Sequence, residues 1–176
     1  MDAYEQNQAK LFERLLQPHM PRLFRFAYRL THSRPEAEDL FQDVLTRLYT
    51  RLDELAALRD PGPWLNRVLY NQFIDNRRRY ARRRLVDVDE GQLVGESIES
   101  LPDPRPDTDE GNFDALQSAL SKLSDEHRTV VLLHDAEGYK LEEIQDITGT
   151  PLGTIKSRLH RARARLREIL EAEGTI

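Results

Sequence analysis

A segment without a repeating apolar pattern divides this chain of 176 residues into two parts. Residues 86–112 hold three prolines, three glycines and nine carboxylates, and sustain neither the 3.6-residue apolar period of a helix nor the two-residue period of a strand. Such a composition is typical of a solvated, extended tether. The sequence therefore predicts two small domains, at 1–85 and 113–176, joined by a flexible acidic linker at 86–112.

The N-terminal part shows the apolar spacing of helices. Pro18 and Pro21 interrupt that spacing, so either two helices or one kinked helix is expected around them. Ser33 and Glu36 have the spacing of a capping box, which predicts a helix beginning at Arg34. A further helix, expected from residue 64, should turn inward Leu65, Val68, Leu69, Phe73 and Tyr80.

The C-terminal part has the layout of a helix-turn-helix. Its first apolar stripe is Leu116, Leu120 and Leu123. Ser124 is expected to cap the next helix, and Gly138 to end it. A short helix, a turn at Gly149 and a long last helix opened by Thr150 as cap and Pro151 in the first position complete the layout. No segment alternates like a strand, so the predicted fold class is all-α.

Several function classes are disfavoured by composition. The longest apolar runs, such as Val130–Leu133, have four residues against the roughly 20 that a membrane-spanning helix needs, so we expect no direct membrane insertion and a cytoplasmic protein. The chain has no cysteine and five scattered histidines, without a catalytic motif or a phosphate-binding glycine loop. We therefore expect no enzyme, no metal site and no cofactor.

Basic charge is concentrated in two islands, although the net charge is −5. Residues 61–84 carry seven basic and one acidic side chain, and six basic residues lie within Lys156–Arg167. Such islands suit contacts with DNA phosphates, the alternative being ordinary solvated helix faces. In the last helix, the apolar phase leaves one face for DNA, comprising Thr154, Ser157, Arg158, His160 and Arg161, with Lys156 at its margin.

Three stretches resemble one family in the same order. GTIKSRLHRARARL, with EEI upstream, resembles region 4 of the extracytoplasmic-function sigma factors, small promoter-specificity subunits of bacterial RNA polymerase. AYRLTHSRPEAEDLFQDVLTRLY is similar to regions 2.1 and 2.2, and WLNRVLYNQFIDNRRR to regions 2.3 and 2.4. The resemblance implies a factor that binds core polymerase and directs initiation through the minus 10 and minus 35 promoter elements.

The resemblance also implies roles for individual residues. It assigns contacts with core polymerase, at the clamp coiled coil of the largest subunit, to Asp39, Gln42 and Asp43. The i, i+3, i+4 spacing of these three residues places them on one helix face. The resemblance assigns contacts with the minus 10 element to Asn71, Asp75, Arg77, Arg78 and Arg79, and a base-capture pocket to Leu58–Gly62. Tyr70 stands where the family usually has arginine. Minus 35 contacts fall to Lys156, Ser157, His160 and Arg161, with Thr154, Arg158 and Arg163 nearer phosphates.

Further expectations concern partners and alternatives. The resemblance implies promoter DNA, the flap of the second polymerase subunit and an anti-sigma factor as partners. Gln145 stands where the family commonly has alanine, so its side chain must lean out or change the angle between the two helices. The acidic linker either mimics nucleic acid in the polymerase cleft or is a solubilising tether. A dimeric helix-turn-helix regulator that acts without polymerase is the main alternative function, and a pure adaptor the other.

Overall fold

The computed structural model describes residues 3–86 and 110–174, and every regular element in these ranges is a helix. The N-terminal unit contains α1 (Ala3–Leu16), a 3-10 turn (Gln17–His19), α2 (Met20–Thr31), α3 (Arg34–Tyr49), α4 (Leu52–Ala57) and α5 (Gly62–Val86). The C-terminal unit contains α6 (Glu110–Ser121), α7 (Asp125–Val131), a π-helical turn (Leu132–Ala136), α8 (Leu141–Thr148) and α9 (Leu152–Ala172). The all-α prediction is confirmed. Most of the predicted linker, 87–109, lies outside the described residues, whereas 110–112 belong to α6.

Local sequence signals account for most helix ends. The two prolines produce two helices separated by the 3-10 turn, rather than one kinked helix. Ser33 caps α3 by accepting the Glu36 N–H at 3.4 Å. Its own N–H points to Thr31 Oγ1, at 3.5 Å, so the second half of the expected capping box is replaced by a contact with the preceding helix. Gly149 ends α8 with φ +68°, a conformation that favours glycine.

Four sequence expectations need correction. Tyr80 and Leu116 were expected inside but are 53% and 39% exposed. Every residue of α5 from 78 to 82 is exposed, so the helix extends beyond the packed core at Tyr80. Helix α5 begins at Gly62, two residues before the expected start. Helix α9 begins at Leu152, so the capping position is occupied by Pro151 rather than Thr150, without a side-chain cap bond.

The apolar cores of the two units are continuous. Phe24 and Phe41 meet edge to face in the N-terminal core, with ring centroids 5.4 Å apart. Ile144 and Ile155 are fully buried in the helix-turn-helix, and belong to the same cluster of buried side chains. Helix α5 packs against α8, and α2 against α7, so these pairs connect the two units.

Candidate nucleic-acid and polymerase interfaces

The exposed face of α3 carries the predicted polymerase contacts. Asp39 and Asp43 are both exposed, whereas Leu40 and Val44 next to them are buried. Partial desolvation, followed by repulsion from Asp43 and Glu38, raises the pKa of Asp39 above its ordinary value. The face is therefore an accumulation of negative charge, which a cationic partner surface would relieve.

Asp43 also has a structural role that the sequence did not reveal. Its carboxylate accepts hydrogen bonds from Gln72 Nε2 and Asn76 Nδ2, each at 3.2 Å. Gln72, which is buried, donates to Asn76 Oδ1 as well, at 3.0 Å. Asp43 thus connects α3 to α5, whereas Gln42 is half-buried beside it.

The residues of helix α5 that are predicted to contact DNA differ in their exposure and in their bonding partners. Asn71, Arg78 and Arg79 are exposed. Asp75 forms an exposed ion pair with Arg47, at 3.3 Å. These side chains line one exposed side of the helix and combine polar and cationic groups that suit a separated DNA strand.

Arg77 is already engaged. Its Nε lies 3.2 Å from Asp125 Oδ2, an ion pair rather than a hydrogen bond, and its guanidinium lies 5.3 Å from the centre of the Phe73 ring. Phe73 is 2% exposed and belongs to the core, as predicted. Trp64 packs against the core and carries Arg51 over its ring at 4.8 Å. Neither aromatic is a free stacking platform.

The N-terminal half of α9 presents the predicted minus 35 residues. Lys156, His160 and Arg161 are exposed, and Thr154, Ser157 and Arg158 are half-buried. Ser157 Oγ donates to the Thr154 carbonyl at 3.0 Å, which leaves the longer cationic side chains to reach outward.

Two cations near this surface have neighbours within the protein. Arg163 pairs with Asp135, and this bond lowers the pKa of the Asp135 carboxyl. Arg158 lies near Tyr70 of α5: burial raises the pKa of Tyr70, and the positive charge of Arg158 opposes that shift. Arg163 is therefore paired with an acid of the protein, whereas Arg158 lies beside a partly buried phenol without a bond to it.

The position of the Gln145 side chain in α8 shows which of the two expected arrangements this protein adopts. Its side chain is exposed, whereas Ile144 and Ile147 face the core. The longer side chain therefore leans outward, and leaves the packing between α8 and α9 to the isoleucines.

Sequence reasoning missed a group of residues at the junction of the units. Arg128, Asn66 and Glu137 are buried polar side chains, and Tyr139 is 9% exposed. Arg128 stands two residues before the apolar run Val130–Leu133, which is the one signal that a buried cation was present. Periodicity could not identify the others, because their partners lie more than 70 positions away in the chain.

Comparison with known proteins gives consistent matches. The family model "Sigma-70 region 2" matches residues 15–83, and "Sigma-70, region 4" matches residues 113–166. The chain is 34% identical over 164 residues to the ECF RNA polymerase sigma factor SigE of Mycolicibacterium smegmatis, covering 90% of this chain and 61% of that protein. It is 32% identical to the ECF RNA polymerase sigma factor EcfG of Rhodopseudomonas palustris, covering 88% and 82%.

A solved structure shares the fold over nearly the whole chain. The sigma factor RpoE, in complex with the anti-sigma factor NepR from Bartonella quintana, aligns with a TM-score of 0.71 and 32% identity. The alignment covers 91% of this chain and 96% of that one. Both units are therefore included in the similarity.

Proposed function

The chain belongs to the extracytoplasmic-function sigma factors, and we propose that it binds core RNA polymerase and directs it to promoters through two DNA surfaces, on α5 and α9. The observation that carries the assignment of sites is the separation of charge. Asp39 and Asp43 form an acidic face on α3, whereas the exposed cations Arg78 and Arg79 lie on α5 and Arg161 on α9.

Each surface suits one task. The acidic face of α3 suits a basic docking surface, for which we propose the clamp coiled coil of the largest subunit. The exposed side of α5 suits the minus 10 element, where opening the duplex is offset by holding an extruded base and the separated strand. The exposed cations of α9 suit the major groove of the minus 35 element.

Further partners follow from the same assignment. We propose that the C-terminal unit also meets the flap of the second subunit. We propose further that an anti-sigma factor binds this protein and holds it inactive, since the aligned sigma factor is in complex with an anti-sigma factor. No helix in the described ranges is both long and apolar enough to cross a bilayer. We place its action in the cytoplasm, where polymerase and promoters are, and assign it no catalytic step.

Run-off transcription with purified core polymerase over a panel of promoters tests the proposal. Arg161→Glu should reduce initiation at promoters that depend on the upstream element at least tenfold, because a phosphate or base contact becomes a repulsion. Asp39→Arg should weaken core binding without unfolding the protein, because Asp39 is exposed and its negative charge is already destabilised by neighbouring carboxylates. Asp39 is a cleaner probe than Asp43, which also bonds to α5.

The main alternative, a dimeric regulator that acts without polymerase, predicts different behaviour. Such a protein should bind a palindromic duplex tightly on its own, and both variants should leave core binding unchanged. Tight binding of this kind, together with unaltered initiation by core polymerase, would refute the proposed function.

A further inference from the structure

A carboxylate and an imidazole enclose one of the cations that are expected to contact promoter phosphates. The cation is Arg163 of α9, and its neighbours, His134 and Asp135, belong to the π-helical turn that follows α7. We propose that Asp135 is a positioning residue for minus 35 recognition, which holds the Arg163 guanidinium in the orientation that reaches a DNA phosphate. The inference rests on the proposed function, because the contact of Arg163 with DNA is part of it.

Asp135 bonds to the guanidinium along one edge. Arg163 Nε donates to Asp135 Oδ2 at 2.9 Å, and Arg163 Nη2 donates to Asp135 Oδ1. Two parallel bonds of this kind fix the plane of the guanidinium as well as its position. The hydrogen bond from Arg163 is the main reason that the pKa of the Asp135 carboxyl is lowered, so the acid is charged at neutral pH.

His134 closes a second side of the guanidinium. Its Nδ1 lies 3.1 Å from Arg163 Nη2 and 2.8 Å from Asp135 Oδ1. The neutral ring accepts from the guanidinium or donates to the carboxylate, according to which nitrogen holds its proton. Both Nε and Nη2 of Arg163 are thus engaged, and the two N–H groups of Nη1 have no partner within the described ranges. These two donors are the ones that remain for a phosphate.

The apolar core holds the turn that carries Asp135. Its first two residues, Leu132 and Leu133, are 2% and 0% exposed. The Glu137 N–H bonds to the Leu132 carbonyl at 2.9 Å, which closes the turn. Asp135 is therefore a fixed acceptor, whereas the Arg163 side chain is 51% exposed and would otherwise sample many rotamers. Ordering this side chain before DNA arrives removes its entropy cost from binding.

The place of Arg163 in α9 suits a backbone contact. Lys156, His160 and Arg163 are all exposed, and their i, i+4, i+7 spacing places them on one face of the helix. At 1.5 Å per residue, Arg163 stands about 10.5 Å beyond Lys156 along the helix axis. The N-terminal residues of a recognition helix approach the base edges. A cation on the same face two turns later therefore lies toward the rim of the groove, where the phosphates are.

The alternative is that Asp135 only neutralises Arg163. An acid bonded to a cation that faces DNA repels phosphates, so on charge alone its removal should strengthen DNA binding and make binding more dependent on salt. If Asp135 positions the guanidinium, its removal should weaken binding instead. The two interpretations therefore predict changes of opposite sign.

Binding of the holoenzyme, formed from the full chain and core polymerase, to promoter DNA tests the proposal. The probe is a fluorescent duplex carrying a promoter that depends on the upstream element in the run-off panel. Asp135→Asn keeps the shape of the side chain, and should weaken binding at least fivefold. Arg163→Ala should weaken binding at least as much. Adding Asp135→Asn to Arg163→Ala should cause no further loss, because no guanidinium remains to be positioned.

The matched control is Glu168→Gln, which removes the same charge from the same surface. Glu168 forms an exposed ion pair with Arg165, at 2.9 Å on α9, and neither residue has a proposed contact with DNA. Its affinity should stay within twofold of the natural chain. A salt titration gives a second readout, since each lost phosphate contact lowers the slope of log affinity against log salt by about 0.9. Arg163→Ala and Asp135→Asn should both lower this slope, and Glu168→Gln should not.

The outcomes separate the positioning role from other roles. Tighter binding by Asp135→Asn would overturn the inference, and so would unchanged binding by Arg163→Ala. Equal weakening by Asp135→Asn in the presence and in the absence of Arg163 would show a purely structural role, and would overturn it as well. Failure of the natural chain to form a holoenzyme that binds any promoter of the panel would instead refute the proposed function.

Discussion

Replacing Arg128 by alanine removes the most extensively bonded side chain at the junction of the two units. The guanidinium is 5% exposed, and it donates to the carbonyls of Leu120, Leu123 and Leu30 at 3.0, 2.8 and 2.7 Å and to Asp125 at 3.0 Å. Burial is the main reason that its pKa is lowered. The bonds must therefore compensate for the loss of hydration of a buried charge.

The expected loss can be worked out from these contacts. Each buried carbonyl left without a donor costs about 1–3 kcal/mol. The Leu30 and Leu123 carbonyls lose their donor here, whereas the Leu120 carbonyl keeps the Leu123 N–H at 3.1 Å. Part of that cost is offset, because the variant no longer buries a charge and because water enters the space. We expect Arg128→Ala to lower the free energy of unfolding by about 3–5 kcal/mol, out of a total of about 5–15 kcal/mol.

Urea unfolding followed by circular dichroism measures this loss. Arg165→Ala is the matched control, because Arg165 forms an exposed ion pair with Glu168, at 2.9 Å on α9. Such pairs contribute at most about 1 kcal/mol, so the control should shift the midpoint little. A loss for Arg128→Ala as small as that for the control would refute our account of the buried arginine.

Two further predictions concern His32 and Gln145. Burial, with the charges of Arg128 and Arg77, lowers the pKa of His32 to about 4, so an unfolded chain with an ordinary histidine pKa near 6.5 binds a proton that the folded one does not. The free energy of unfolding should decrease as the pH falls from about 6.5 to about 4, by roughly 1–2 kcal/mol after allowance for partial exposure. Asparagine tolerates the φ of +59° at position 32, so His32→Asn should reduce this dependence on pH, as measured by urea titrations at several pH values. An unchanged pH dependence would contradict this. Gln145→Ala should change the unfolding free energy by less than about 0.5 kcal/mol, because the side chain is exposed, and a larger loss would show that it supports the angle between α8 and α9.

The helices and most of their ends could be predicted from local patterns. Ser33 and Gly149 act where the sequence placed them, because a cap or a left-handed residue is determined by its immediate neighbours. The predicted DNA residues of α9 are at least partly accessible, for the same reason: the apolar phase of one helix determines which face is buried.

The junction could not be predicted, because local patterns do not report distant partners. A π-helical turn at Leu132–Ala136 adds a residue to the helical path, and the Glu137 N–H bonds to the Leu132 carbonyl at 2.9 Å. This irregular turn directs Glu137 and Tyr139 toward α2 and α5. Nothing in the spacing of apolar residues indicates a π-helical turn, so neither side chain could be assigned to the junction from the sequence.

The junction also explains how the two units can pack together despite their basic islands. Arg22 and Arg77 of the N-terminal unit each face an acid of the C-terminal unit, Glu137 and Asp125 respectively. These pairs replace repulsion by attraction, and in both the arginine is substantially exposed, so salt and DNA phosphates can compete for it. If DNA phosphates bind Arg77, as the proposed function has it, they compete with Asp125 for its guanidinium. By linkage, the factor by which phosphate binding weakens this contact between the units is also the factor by which the contact weakens phosphate binding.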